Sequence, residues 1–169
     1  MAVLSTEELN NLNPEKIYQI PCVLNNNTWS NIREDFNTIL QNPRKLQFDE
    51  NIRISLSESK GIYMFFVEPE FPFLPKAKYL MYVGRVIGNN NFKKRFYDYV
   101  NCIGKKNERR NIQLLTNLWP TKTWVYIYEL TLPDDEITAI EDNLIDNIVP
   151  PMNNKFKAKS AQQSRSIYH

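Results

Sequence analysis

An acid stands where a helix should be apolar. The run Asp134–Val149 repeats Ile137, Ile140, Leu144, Ile145 and Ile148 at the spacing of one helical face. At about 100° per residue, Glu141 falls inside that stripe, while Asp135, Asp142 and Asp146 fall outside it. An ionised carboxylate on a buried face is costly unless a metal ion, a cation or a site cleft compensates it. A buried Glu–Arg pair is the purely structural way to do so. The other chemistry must come from a short menu, because the single histidine is the last residue, His169. This removes Ser-His-Asp and Cys-His triads, histidine-based zinc sites and histidine phosphotransfer. Tyr, Arg, Lys, Glu, Asp and Asn remain. Cys22 and Cys102 stand alone, which does not suggest a disulfide framework or a zinc knuckle.

Two related tripeptides, Gly61-Ile62-Tyr63 and Tyr82-Val83-Gly84, lie in successive strand-like runs. Singly, each is an ordinary strand fragment with an aromatic residue. Arg95 and Tyr99 follow at i, i+4 on a helix, as neighbours on one surface. Glu141 comes on a later helix and Asn153 a dozen residues beyond it, within Pro151-Met152-Asn153-Asn154. In this order the set resembles the GIY-YIG endonuclease superfamily across Gly61–Asn154. YVG replaces YIG, and a proline-rich insertion lengthens the stretch between the two tyrosines. Residues 1–55 lie outside the family core. Such insertions make the chain most similar to the restriction-enzyme members.

The resemblance implies a metal-dependent DNA endonuclease, of site-specific type II restriction kind, with catalytic residues Tyr63, Tyr82, Arg95, Tyr99, Glu141 and Asn153. Glu141 would be the ligand of Mg²⁺, with Mn²⁺ substituting; one hard carboxylate suffices for an ion that keeps most of its waters. Arg95 would fork onto the scissile phosphate. Tyr63 would be the general base, with Tyr82 as the alternative. A phenol near its free pKa of about 10 needs cations beside it, and Arg95, Arg85 and the metal are the candidates. Tyr82 and Tyr99 would bond water and phosphate, and Asn153 would orient Glu141 or the helix end, a role for which Asn154 competes. Two other readings stand beside this one. One is a structure-selective or repair nuclease. The other is a non-catalytic nucleic-acid-binding module, for which Glu141 would be superfluous.

The partner that the resemblance implies is double-stranded DNA; charge alone suggests a polyanion surface, or simply a solvated helix and tail. Net charge is only +2, but Lys93, Lys94, Lys105, Lys106, Arg109 and Arg110 crowd one stretch. Lys155 and Lys157 open a tail without acids. Together with Arg85 these are the expected phosphate contacts, which position a duplex and specify little. Base reading would fall to residues 1–60, the 68–78 loop, the 105–110 segment or the tail. Cutting both strands of a palindrome favours a two-fold homodimer.

The elements needed to position these groups are legible in outline. Ser5 and Glu8 suggest a capping box for a short helix, and Thr28–Leu40 reads as a helix. Ile52–Leu56, Gly61–Val67, Tyr79–Val83 (stopped by Gly84) and Thr123–Leu130 read as strand candidates. Glu68–Lys78 holds three prolines and reads as a loop. Phe92, Phe96, Val100 and Ile103 mark a helix face, Arg110–Leu118 a further helix, and the tail from Lys155 a disordered segment. The expected architecture is α+β: a small, largely antiparallel sheet of three strands flanked by helices. Residues 1–55 form an extension, 56–154 a nuclease core and 155–169 a basic tail. With only four glycines in the chain, phosphate-cradling loops are excluded. No run reaches the length of a membrane span and Met1–Leu12 has no signal-peptide core, so a cytoplasmic location without membrane partners is expected.

Overall fold

The structure, a computed structural model, describes residues 32, 36–70, 72–103 and 110–166. The helix expected at Ser5–Glu8 lies outside them. So does most of the one expected at Thr28–Leu40, of which Ile32 and Phe36 are helical.

Four strands form one antiparallel sheet: β1 (Arg44–Gln47), β2 (Gly61–Val67), β3 (Tyr79–Val86) and β4 (Thr123–Glu129), in the order β1-β4-β2-β3. The α+β class is as expected; among the described residues the strand number is four rather than three. The additional strand, β1, has the sequence RKLQ. Its outer position leaves it mostly exposed, so it carries no apolar alternation to read. The strand expected at Ile52–Leu56 is instead a short 3₁₀ helix, Ile52–Ser55. Ile52 and Leu56 point inward while Ile54 is 85% exposed, a spacing that suits a tight helix and that alternation cannot satisfy.

Strand alternation sends side chains to two layers. Tyr63, Phe65 and Val67 of β2 join Val125 and Ile127 of β4 on one face. There they meet α1 (Phe92–Val100), through Phe92, Phe96 and Tyr99, and Leu115 of α2 (Arg110–Leu118). Asn91 caps α1, its side chain accepting from the Lys94 N–H at 2.8 Å. Ile62 and Met64 of β2 face the opposite way, onto α3 (Asp134–Ile148) through Ile137, Ile140, Leu144 and Ile145. Phe36 completes that layer.

The basic tail is not wholly irregular: Lys159–Ser166 form α4. Asp146 of α3 holds the approach to it, accepting from the backbone N–H groups of Lys157 at 2.8 Å and Ala158 at 2.9 Å. Ala161 is buried. Among the described residues no helix is long and apolar enough to cross a membrane.

Candidate active site

The site is built around β3, which ends the sheet order and so has, among the described residues, one side without a strand partner. Its pairing with β2 slips once. Phe65 faces Tyr82 but Phe66 faces Leu80, so Met81 is an extra residue, a bulge. The bulge puts Met81 and Tyr82 into the same layer. Tyr82 keeps regular register with Phe65, two residues from Gly84, so its ring faces Tyr63 with centroids 6.2 Å apart. β3 then continues through Gly84 to Val86, beyond the expected stop. Gly84 pairs with Tyr63 on β2. A Cβ there would overlap the Tyr63 ring and hydroxyl, so the glycine makes room for the phenol.

Asn153 works on this same strand. Its Oδ1 accepts from the Val83 N–H at 2.9 Å and its Nδ2 donates to the Val83 carbonyl at 2.8 Å. The Met152 N–H donates to the Met81 carbonyl at 2.9 Å. The expected partner of Asn153 was Glu141 or the helix end. It instead satisfies both backbone groups of the residue between Tyr82 and Gly84, as a neighbouring strand would. Val149, in the left-handed conformation with φ 52°, turns the chain out of α3 toward this contact.

On the α1 side, three phenols and a guanidinium cluster. Tyr63 is 1% exposed, and its hydroxyl lies 2.5 Å from that of Tyr99. Burial pushes the Tyr63 phenol well above its ordinary pKa. Tyr99 and Tyr82 add to this, and Arg95 opposes without prevailing. Tyr82, which is half-buried, is pushed up to about 12, chiefly by burial. The expectation that resident cations would pull Tyr63 down is therefore not met: burial outweighs Arg95. For Arg95 itself, burial lowers the pKa but the surrounding phenols and Asp98 raise it further, so it stays charged. Its Nε is buried and has no hydrogen-bond partner among the described residues. A buried donor left unmade is costly and asks for an acceptor.

On the α3 side, Glu141 is 8% exposed, as its place in the helical stripe predicts. Its Oε2 accepts from Nη1 of Arg85, on β3. Arg85 pairs in register with Ile62, whose side chain belongs to the α3 layer. One residue after Gly84, the strand has thus switched faces and delivers a cation to the acid. The two halves open onto one cleft of about 810 Å³, lined by Tyr63, Tyr82, Tyr99 and Arg95 from one layer and by Arg85 and Glu141 from the other.

A hydrated Mg²⁺ fits this donor set in one way only. Among the described residues no three His, Cys, Asp or Glu side chains group as a metal cage. Asp142 lines the cleft but lies 2.5 Å from Lys157 Nζ. Glu141 remains, a single hard oxygen ligand on the wall of a cleft with room for an ion that keeps its waters. Its bond to Arg85 marks the place where a cation is already welcome.

The expected phosphate contacts divide. Arg85, Lys155 and Lys157 line the cleft. Lys93 and Lys94 do not; they are exposed on α1, with Lys93 Nζ 3.8 Å from Glu58 and Lys94 Nζ donating to the Asn89 carbonyl at 3.3 Å. Lys105, Lys106 and Arg109 lie outside the described residues, and Arg110 opens α2. Asn111, Asn154 and Phe156 also line the cleft. Of these, only Asn154 stands out in sequence, through its neighbour Asn153. Phe156, a lone aromatic between Lys155 and Lys157, is a signal that the basic tail has a face. Comparison of the chain with protein-family models, with curated proteins and with solved structures finds no match.

Proposed function

We propose that the protein is a metal-dependent DNA endonuclease of the GIY-YIG type, with a type II restriction role. The observation that carries this reading is Arg95. It is a half-buried cation whose buried Nε has no hydrogen-bond partner among the described residues, and it shares a cleft with Tyr63, Tyr82, Tyr99 and Glu141. A phosphodiester oxygen is the acceptor such a group suits.

In the proposed reaction a water oxygen forms a bond to phosphorus as the bond to one sugar oxygen breaks. The water gives up a proton, and the leaving oxygen gains one from solvent. Arg95 holds the phosphate and stabilises the charge that builds on its oxygens. Tyr63 takes the water's proton as a phenolate, with Tyr82 the alternative because it faces the cleft more openly. Tyr99 shares a hydrogen bond with Tyr63 and fixes its orientation. The resting phenols are neutral, so forming the phenolate draws on added positive charge in the cleft. Glu141 would hold Mg²⁺, or Mn²⁺ in its place, which supplies positive charge to the phosphate and leaving oxygens when bound. Asn153 acts on geometry alone, holding the strand segment between Tyr82 and Gly84.

Incubation with unmodified plasmid and Mg²⁺ tests the proposal. Discrete fragments are expected; cleavage confined to branched or nicked DNA would move the role to repair. Glu141→Gln is expected to abolish cleavage and keep DNA binding, and a variant cutting at near wild-type rate removes Glu141 from the mechanism. Arg95→Ala should lose about 10²–10³-fold in rate. If Tyr82→Phe is inactive while Tyr63→Phe keeps full rate, the base is Tyr82. One observation favours a binding module instead: Arg85 already neutralises Glu141. Tight, salt-sensitive binding without cleavage would identify that case.

A further inference from the structure

Arg85 and Glu141 are 32% and 10% exposed at their side chains, and both line the cleft that holds Arg95. Resting on the nuclease reading above, we infer that Arg85 is an exchangeable counter-ion. It occupies the Glu141 carboxylate until a divalent cation takes it, and is then released to a DNA phosphate.

Electrostatics forces the choice. A divalent ion on Glu141 would sit against a guanidinium in a partly dehydrated cleft, where like charges repel strongly. A buried carboxylate, for its part, is poorly tolerated without a cation. One carboxylate with two candidate cations therefore makes an exchange. The neighbouring acid, Asp142, has its own cation, Lys157 Nζ at 2.5 Å, and is more exposed than Glu141. The displaced guanidinium stays on β3, directly after Gly84, facing the same cleft as Arg95. A planar fork suits a phosphate as well as a carboxylate. By linkage, an ion that frees Arg85 tightens DNA binding, and DNA that recruits Arg85 tightens ion binding by the same factor. The device would hold metal affinity down in the absence of substrate and raise it when substrate binds.

The test is binding of Mn²⁺ to the full chain without DNA, followed by the electron paramagnetic resonance of the free ion. Arg85→Gln is expected to bind Mn²⁺ about tenfold more tightly than wild type, within the usual range of coupling between sites. Glu141→Gln added to Arg85→Gln should lose that gain. Arg95→Gln removes a cleft cation that has no bond to Glu141, and should change Mn²⁺ affinity less than about threefold. Equal gains for Arg85→Gln and Arg95→Gln would mean a general field effect and overturn the exchange. An Arg85→Gln affinity equal to or below wild type overturns it too. Mn²⁺ should also raise the melting temperature of Arg85→Gln more than that of wild type, because it replaces the missing counter-ion. Should Arg85→Gln not fold even with Mn²⁺, Arg85→Lys decides. Its single-point ammonium holds the carboxylate less well, so tighter Mn²⁺ binding supports the exchange and unchanged binding refutes it. Plasmid cleavage by wild type with no gain in the variants leaves the nuclease reading intact and removes this one. A gain without any cleavage does the reverse.

Discussion

A Cβ at position 84 would overlap the ring and hydroxyl of Tyr63. The two residues are paired across β2 and β3, so the glycine and the tyrosine of the two tripeptides form one packing unit. Gly84→Ala must either displace the phenol from Tyr99 or bend β3. It is expected to cost about 1–3 kcal/mol, as overpacking of a filled core does. The loss should appear as a lower urea midpoint together with a drop in cleavage rate. A variant with wild-type midpoint and rate would show that Tyr63 does not need this space. At the same scale, Glu141 was legible in sequence because helix period alone marks an acid inside an apolar stripe. Arg85 as its partner was not: the two are 56 positions apart, and nothing local connects a strand residue to a helix four elements later. The phenol pKa shifts were illegible for the same reason, since burial is a property of the assembled layers.

Elements place these groups by devices that leave weak traces in sequence. Gly61–Val67 is a dense aromatic and aliphatic run and Asp134–Ile148 a strongly periodic one, and both are legible as elements in sequence. The bulge at Met81 was not readable, because it breaks the alternation from which β3 would be read. β1 was silent because an outer strand with one apolar residue has no pattern. The Asn153 clamp is tertiary, and its residue type suggested only a turn. Asn153→Ala removes two hydrogen bonds and leaves both backbone groups of Val83 without those partners. It should cost about 1–3 kcal/mol, seen as a lower melting temperature and slower cleavage, with Mn²⁺ affinity unchanged because Glu141 is not its partner. Asn153→Asp should be worse, since a carboxylate cannot donate to the Val83 carbonyl. Loss of Mn²⁺ binding with unaltered melting would return Asn153 to the metal side of the cleft.

The molecule as a whole is two layers on one sheet, with the cleft drawing from both. That arrangement carries a pH consequence. The phenols of Tyr63 and Tyr82 have native pKa values above the ordinary 10.0, Tyr82 at about 12. The native state thus holds their protons more tightly than the unfolded chain does. Their contribution to stability is complete below pH 10 and declines as pH rises from there toward 12. Circular dichroism of wild type should show alkaline unfolding in that window. The fall of unfolding free energy with pH should be shallower in Tyr63→Phe, which has one proton fewer to lose. Equal slopes would place Tyr63 outside the buried phenol set.

A sheet whose last strand shows bare peptide groups invites another chain to add itself. The short segment Met152–Asn153 fills that vacancy on β3, taking up the Met81 carbonyl and both peptide groups of Val83. A second copy therefore cannot extend the sheet across the tyrosine cluster, and fibre-like stacking through this margin is blocked. A two-fold pairing of the kind the proposed double-strand cleavage favours would have to be built on another surface, with both clefts left open.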